Sequence, residues 1–267
     1  MAAMKRRSRF FTLGWLWLAL GIGYFAVPLL ATLVFSLKTG RDTYGVTAYK
    51  EEFLDPAFRE SLMFSFKLAV FTILIVMVLL IPTAYWVHLK LPRLRPVIEF
   101  LTIMPFVIPP IVLVVGLLHG FRWTPTWFRG GYLILVVGYG VLAFPYVYRS
   151  LDAGLRAIDI HTLTEAAQSL GATWTTVLFR IILPNLRSAV LSAAFLTLAL
   201  VMGEFTMGQL MQFPTFAVHI AYIGQVKATG AAALSLISFA ITWIAMLGLL
   251  LLGLRVGGRA AQVGGTH

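Results

Sequence analysis

The chain has 267 residues, 60% hydrophobic and only 12% charged, with a mean hydropathy of +0.89 and a net charge of +11. A water-soluble domain carries about 25% charged residues, so the composition excludes a soluble fold and calls for a bilayer as solvent. The absence of cysteine excludes a disulfide framework and a thiolate metal site, and the positive balance reads as membrane orientation rather than nucleic-acid binding.

The apolar residues gather into six runs, about 11–37, 61–87, 98–119, 132–149, 187–211 and 230–254. A spanning helix needs about 20 apolar residues. The runs therefore predict an all-α membrane protein with six transmembrane helices and a single transmembrane domain over 1–267, its core at about 60–254. Lys5, Arg6, Arg7 and Arg9 precede the first run in the manner of a signal peptide. That run outlasts a secretory apolar segment of about 7–15 residues, so it reads as an uncleaved first span.

Basic residues set the orientation. Lys90, Arg93, Arg95, Arg149, Arg156, Arg180, Arg187, Arg255 and Arg259 fall on the same side as the basic N-terminus. That side is expected to be cytoplasmic, with both termini inside. Residues of about 38–60 are then outside, and the loop of about 150–186 is inside. Pro28, Pro82, Pro105, Pro109, Pro110 and Pro145 lie at or within the runs. Bends are expected there, because proline frees backbone carbonyls that neighbours or water must satisfy.

Within the inner loop, Thr162-Leu-Thr-Glu165 has the spacing of a capping box. It predicts a helix over Thr162–Leu170, about 12 Å long, ended at Gly171 by a left-handed residue. A second helix over Thr173–Ile182 would place Trp174, Val177, Leu178, Ile181 and Ile182 near one face, with Pro184 breaking or restarting the chain before the fifth run. Ala166 and Ala167 offer little bulk, so another protein's groove could approach the backbone closely. An amphipathic turn resting on lipid headgroups fits these residues equally well.

The run Glu165-Ala-Ala-(three)-Gly171-(nine)-Ile181-x-Leu183-Pro184 resembles the EAA motif of ABC importer permeases at every named position. Leu101-Thr-Ile-Met-Pro-Phe-Val-Ile-Pro-Pro-Ile-Val-Leu-Val-Val-Gly116 is similar to the third span of the polyamine, sulfate, molybdate, iron and phosphonate permeases, and Leu170 before Gly171 fits that group. Gly203-Glu-Phe-Thr-Met207 looks most like spermidine/putrescine permeases. The resemblance covers roughly residues 60–254. It implies a type I importer fold, with the Thr162–Leu170 helix as a coupling helix seated in a cytoplasmic ATPase. It implies as partners two ATPase subunits, a second identical or homologous permease and an external substrate-binding protein. ATP and Mg would sit on the ATPase, and this chain would bind no cofactor. The implied cargo is a polyamine, with phosphonate, sulfate, iron or thiamine as alternatives.

A substrate path is expected near Glu204, Phe205 and Met207. A carboxylate inside a span costs a few kcal/mol, so Glu204 should face protein or water. It could attract a cationic solute, pair with a basic residue, or end a helix in interfacial water. Lys67 is expected to snorkel to the interface, with a pair to Glu204 as the alternative. No G-x-x-x-x-G-K-[ST] phosphate loop, G-x-S-x-G elbow or H-E-x-x-H pair occurs. The chain therefore reads as a transport subunit and not the ATPase. An integral-membrane enzyme would need a polar catalytic cluster that the sequence lacks; a membrane scaffold would need only the loop.

Overall fold

The computed structural model describes residues 2–40 and 43–263, with side chains from residue 15 to residue 251 except at 41, 42 and 249. Arg41 and Asp42 lie outside the described residues, as do the side chains of Lys5, Arg6, Arg7, Arg9, Arg255 and Arg259 on which the orientation partly rests.

Within a bilayer every backbone N–H and C=O must find a partner inside the protein, and a helix supplies them locally. The chain accordingly runs through α1 (Ala2–Ser36), α2 (Thr47–Leu54), α3 (Pro56–Leu89), α4 (Arg95–Val107), α5 (Pro110–Gly120), α6 (Thr126–Arg129) and α7 (Leu133–Arg156). It continues through α8 (Ile160–Ser169), α9 (Trp174–Val177), α10 (Leu183–Asn185), α11 (Arg187–Gly203), α12 (Thr206–Leu210), α13 (Phe216–Val226) and α14 (Ala228–Val263). A 3-10 turn, Pro92–Leu94, leads into α4, and a π turn, Leu178–Ile182, joins α9 to α10. Among the described residues the only β pairing is one isolated bridge, Lys38 to Tyr44.

Among the described residues four helices are long and apolar enough to cross a membrane: Trp15–Ser36 of α1, Pro56–Leu89, Leu133–Arg156 and Ala228–Gly248 of α14. Two bent helix pairs raise the number to six if each is counted as one span. Pro92–Val107 meets Pro110–Gly120 at 106°, and Trp174–Asn185 meets Arg187–Gly203 at 75°. The run 98–119, expected as one helix, breaks at Ile108, which is extended (φ −88, ψ 118). It precedes Pro109, and the proline ring disfavours helical backbone in the residue before it. The run 187–211 also falls short of expectation. Its helix ends at Gly203, where Glu204 turns extended (φ −77, ψ 116). Pro28, Pro82, Pro105 and Pro145 stay inside continuous helices, so those four do not break their helices. Three short helices, α2, α6 and α13, lie outside the predicted runs.

Two compact units can be distinguished, Met1–Phe58 with Ile220–Phe239, and Arg59–His219 with Ala240–His267. In the first, Lys227 donates to Glu51, and the hydroxyls of Ser36 and Tyr49 are 2.6 Å apart. Glu52 is buried with its carboxylate against Gly230, occupying space that a Cβ there would need.

The second unit holds the core. Val76, Leu80, Ala84 and Tyr85 of α3, Ala143, Val147, Tyr148, Leu151 and Leu155 of α7, and Ala193 and Ala194 of α11 form one buried cluster. Lipid gives helices no hydrophobic reason to associate, so small residues that permit close approach matter most. Gly154 of α7 shows this: a Cβ there would lie 2.6 Å from Ala189 Cβ and 3.0 Å from Leu186 Cδ2. Tyr85 and Tyr148 are the bulkiest side chains buried in that cluster.

Candidate functional site

The loop after α7 is short and hydrogen-bonded. Ala157 N–H donates to Gly154 O at 3.2 Å, and Ile160 N–H to Ile158 O at 3.1 Å. Helix α8 then starts at Ile160, two residues before the expected Thr162. The capping box of Thr162 and Glu165 does not form. Asp159 is the N-cap: its Oδ1 accepts from Thr162 N–H at 3.1 Å and its Oδ2 from Thr162 Oγ1 at 2.7 Å. Two cap signatures overlap in this stretch. The earlier one wins because it also carries Ile160 into the buried cluster.

These bonds from Thr162 hold the Asp159 carboxyl below the usual aspartate range. Because the folded value is depressed, the cap contributes fully above the unfolded value of about 3.9 and is lost as pH falls through the folded value. Asp159→Ala is expected to raise hydrogen exchange of the first-turn amides of α8 about fivefold at neutral pH. The two proteins should converge well below the ordinary aspartate value. Equal exchange at neutral pH would remove the cap from the account.

At its other end α8 stops as expected. Gly171 takes φ +82, Gly171 N–H donates to Gln168 O at 2.9 Å, and Ala172 N–H to Ala167 O at 3.0 Å. This paired bonding requires a left-handed residue just past the helix. Ile160, Thr164 and Ala167 face inward, at spacings of four and three, and are buried. Ala167 therefore does not present its small side chain to a partner: it is 7% exposed and belongs to the chain's own core. Thr162, Glu165, Ala166 and Leu170 form the outer face, and Leu170 is 90% exposed. Helical spacing alone did not single out so exposed a leucine at the end of this polar helix.

The inner face of α8 is tied to the spans. Tyr85 and Thr164 hydroxyls meet at 3.0 Å in the interior. Trp174 stacks on Trp86, with ring centroids 5.3 Å apart, and lies 6.3 Å from Tyr85. The second loop helix forms with the expected face: Val177, Leu178 and Ile182 are buried, and Trp174 and Ile181 pack against the core. Pro184 does not break it. The chain widens into the π turn Leu178–Ile182 and passes through Leu183 and Pro184 in α10. A proline collides with the carbonyl four residues back, and a wider turn relieves that collision. Asn185 Nδ2 then donates to Ile181 O at 2.7 Å, and the bend follows.

The three residues expected on a substrate path are placed differently from one another. Glu204 sits at the break between α11 and α12, and its carboxylate accepts from Met207 N–H at 3.0 and 3.1 Å. Phe205 is 41% exposed beside it. Met207 is fully buried and packed over Gly138, so it belongs to the core and not to an open path. Among the described residues Lys67 forms no ion pair with Glu204. It lines a cavity of about 200 Å³ with Phe64, Leu68, Phe71 and Tyr132.

Several long apolar helices, two bent pairs and a capped helix tied to α3 describe a polytopic membrane protein rather than a simple anchor. The chain belongs to the family described as the binding-protein-dependent transport system inner membrane component, whose model matches residues 81–257. It is a multi-pass inner-membrane protein with the type I ABC permease fold.

The spermidine/putrescine transport system permease protein PotB of Escherichia coli (strain K12) is 29% identical over 174 residues, 59% of this chain and 62% of that protein. The match thus covers less than two thirds of that relative. Shorter matches at 34–36% identity reach permeases named for ferric, molybdenum and sulfate transport. The crystal structure of a bacterial ABC transporter involved in import of the acidic polysaccharide alginate aligns at TM-score 0.72 and 14% identity, covering 96% of this chain and 99% of that one. A second structure of the alginate transporter, in complex with a pentasaccharide-bound periplasmic protein, aligns at TM-score 0.69 and 13% identity over 96% of each chain.

Proposed function

We propose that this chain is the transmembrane permease subunit of an ATP-driven importer, with six spans and both termini in the cytoplasm. The observation that carries the reading is α8. It is a short helix, capped at both ends and fixed to the core on one face. Its other face presents Glu165, Ala166 and Leu170. Such a helix is stiff enough to pass force from a soluble partner to the spans. In this reading it is the coupling helix, and Thr162, Glu165, Ala166 and Gly171 form or shape its docking surface. Ile181, Leu183 and Pro184 carry the chain from the loop into the fifth span.

The chain supplies the path and not the hydrolysis. ATP and Mg belong to separate ATPase subunits, a second permease completes the path, and an external binding protein delivers the solute. The complex of the alginate transporter with its periplasmic protein supports the last of these by likeness of fold. Helix α1, whose apolar stretch is unburied, is available to lipid or to the second permease.

The proposed cargo is a polyamine or a related small cation. A carboxylate at the break of a span and a half-exposed phenylalanine next to it suit an alkylammonium group, through charge and through cation–π attraction. Co-purification from membranes with an ATPase, followed by ATPase stimulation on adding loaded binding protein, tests the importer. Failure of both in an intact complex would sink it. Uptake of radiolabelled spermidine in competition with putrescine, sulfate, molybdate and ferric ions tests the cargo, and competition by an oxyanion alone would replace the polyamine.

A further inference from the structure

The end of the bundle that carries α8 also holds a charged cluster. Asp152, one turn before the end of α7, is only 13% exposed at its side chain. Its Oδ1 lies 2.7 Å from Arg95 Nη2 of α4 and 3.0 Å from His88 Nε2 of α3, and its Oδ2 lies 2.8 Å from Arg156 Nη2. Glu99 of α4 closes the ring, 2.9 Å from Arg156 Nη2 and 3.4 Å from Arg95 Nε. His88 Nδ1 is 2.9 Å from Ala84 O. A carbonyl only accepts, so Nδ1 carries a proton, and Nε2 pairs with the Asp152 carboxylate when it is protonated as well, as an imidazolium.

Three helices thus converge on one carboxylate, and the third of them continues into α8 through the hydrogen-bonded loop Ala157–Asp159. On its far side α8 is tied to α3 again by Tyr85 and Thr164. Partly buried ion pairs add little net stability, because desolvation offsets their attraction. What they add is direction: Arg95–Asp152 and Arg156–Glu99 fix α4 against α7, and His88–Asp152 fixes α3 against α7. We propose that Asp152 is a positioning residue that welds α7 to α3 and α4, so that a displacement of α8 moves three helices as one body. This rests on reading α8 as the ATPase-docking helix.

The absence of native cysteine allows a direct test. Glu99 and Arg156 are the most exposed members of the ring, at 41% and 54%, so their replacement should leave the fold intact. The full complex with ATPase and binding protein is reconstituted in proteoliposomes. Solute imported per ATP hydrolysed is then measured, using the solute identified among spermidine, putrescine, sulfate and molybdate. Asp152→Asn, and the double variant Glu99→Cys with Arg156→Cys, should keep ATPase co-purification and hydrolysis. Their ratio of import to hydrolysis should fall roughly fivefold. Joining the two cysteines with a bis-maleimide should return the ratio to at least half the wild-type value, since a covalent bond replaces the weld.

An unchanged ratio without the cross-link overturns the proposal. So does loss of import on cross-linking, which would mean that the α4–α7 junction must open during the cycle. If Asp152→Asn does not assemble, Arg95→Gln, which cuts the α4 link to Asp152, decides by the same ratio. A wild-type chain that holds no ATPase overturns the docking reading itself, and the weld with it.

Discussion

Replacing Gly154 by valine is expected to lower the stability of the purified protein by about 3 kcal/mol, seen as a thermal midpoint roughly 10 °C lower in detergent. The first atom of any side chain at 154 would lie 2.6 Å from Ala189 Cβ. A Cβ cannot rotate away, so α7 and α11 must separate or one must shift along the other. Leu186, at 3.0 Å, stands at the start of α11 where the loop rejoins the spans. The strain therefore falls where α8 is anchored. Gly154→Ala should show a smaller loss, and adding Ala189→Gly should recover most of it, because the two sites share one volume. A double variant no better than the single one would show that the close approach of the two helices is not what glycine provides.

Ala166→Arg is expected to abolish ATPase co-purification, at least tenfold by quantitative blot, while leaving membrane insertion and thermal midpoint unchanged. Ala166 lies on the outer face of α8, where a surface substitution costs within about 0.5 kcal/mol. Ala167→Arg should also stop transport, but by another route. It drives a charge into the cluster around Tyr85 and Val177 and lowers the thermal midpoint. Measuring both properties in both variants separates docking from folding. An Ala166→Arg protein that retains its ATPase would remove the outer face of α8 from the interface.

The adjacent alanines also show how far the sequence could be read. Both looked like small residues offered to a partner. The period of the helix divides them, because Ile160, Thr164 and Ala167 follow one another at spacings of four and three and make one inward stripe. Gly171 was legible because a left-handed turn has few alternatives to glycine. The cap was misplaced because Asp159 and Thr162 both satisfy the local rule, and only burial of Ile160 chooses between them. Composition located the long helices, since twenty apolar residues in a row have few other fates. It could not locate the break at Glu204, where no proline stands and the chain turns because a carboxylate takes the amide of Met207. Helix α13 escaped for the opposite reason, being too short to register as a span. The charged ring around Asp152 is invisible along the chain, because its members come from three separate helices.

The π turn at Leu178–Ile182 sets a phase. Each added residue rotates a helix by about 100°, so a single-residue bulge fixes the azimuth of everything on one side of it against everything on the other. Deleting Phe179 alone would restore ordinary helical winding and leave every named contact residue in the chain. It would also swing the outer face of α8 away from its bearing relative to α11. Lineages can therefore vary residues within this turn more safely than they can vary its length, and a one-residue gap at this point should be rarer than any point substitution.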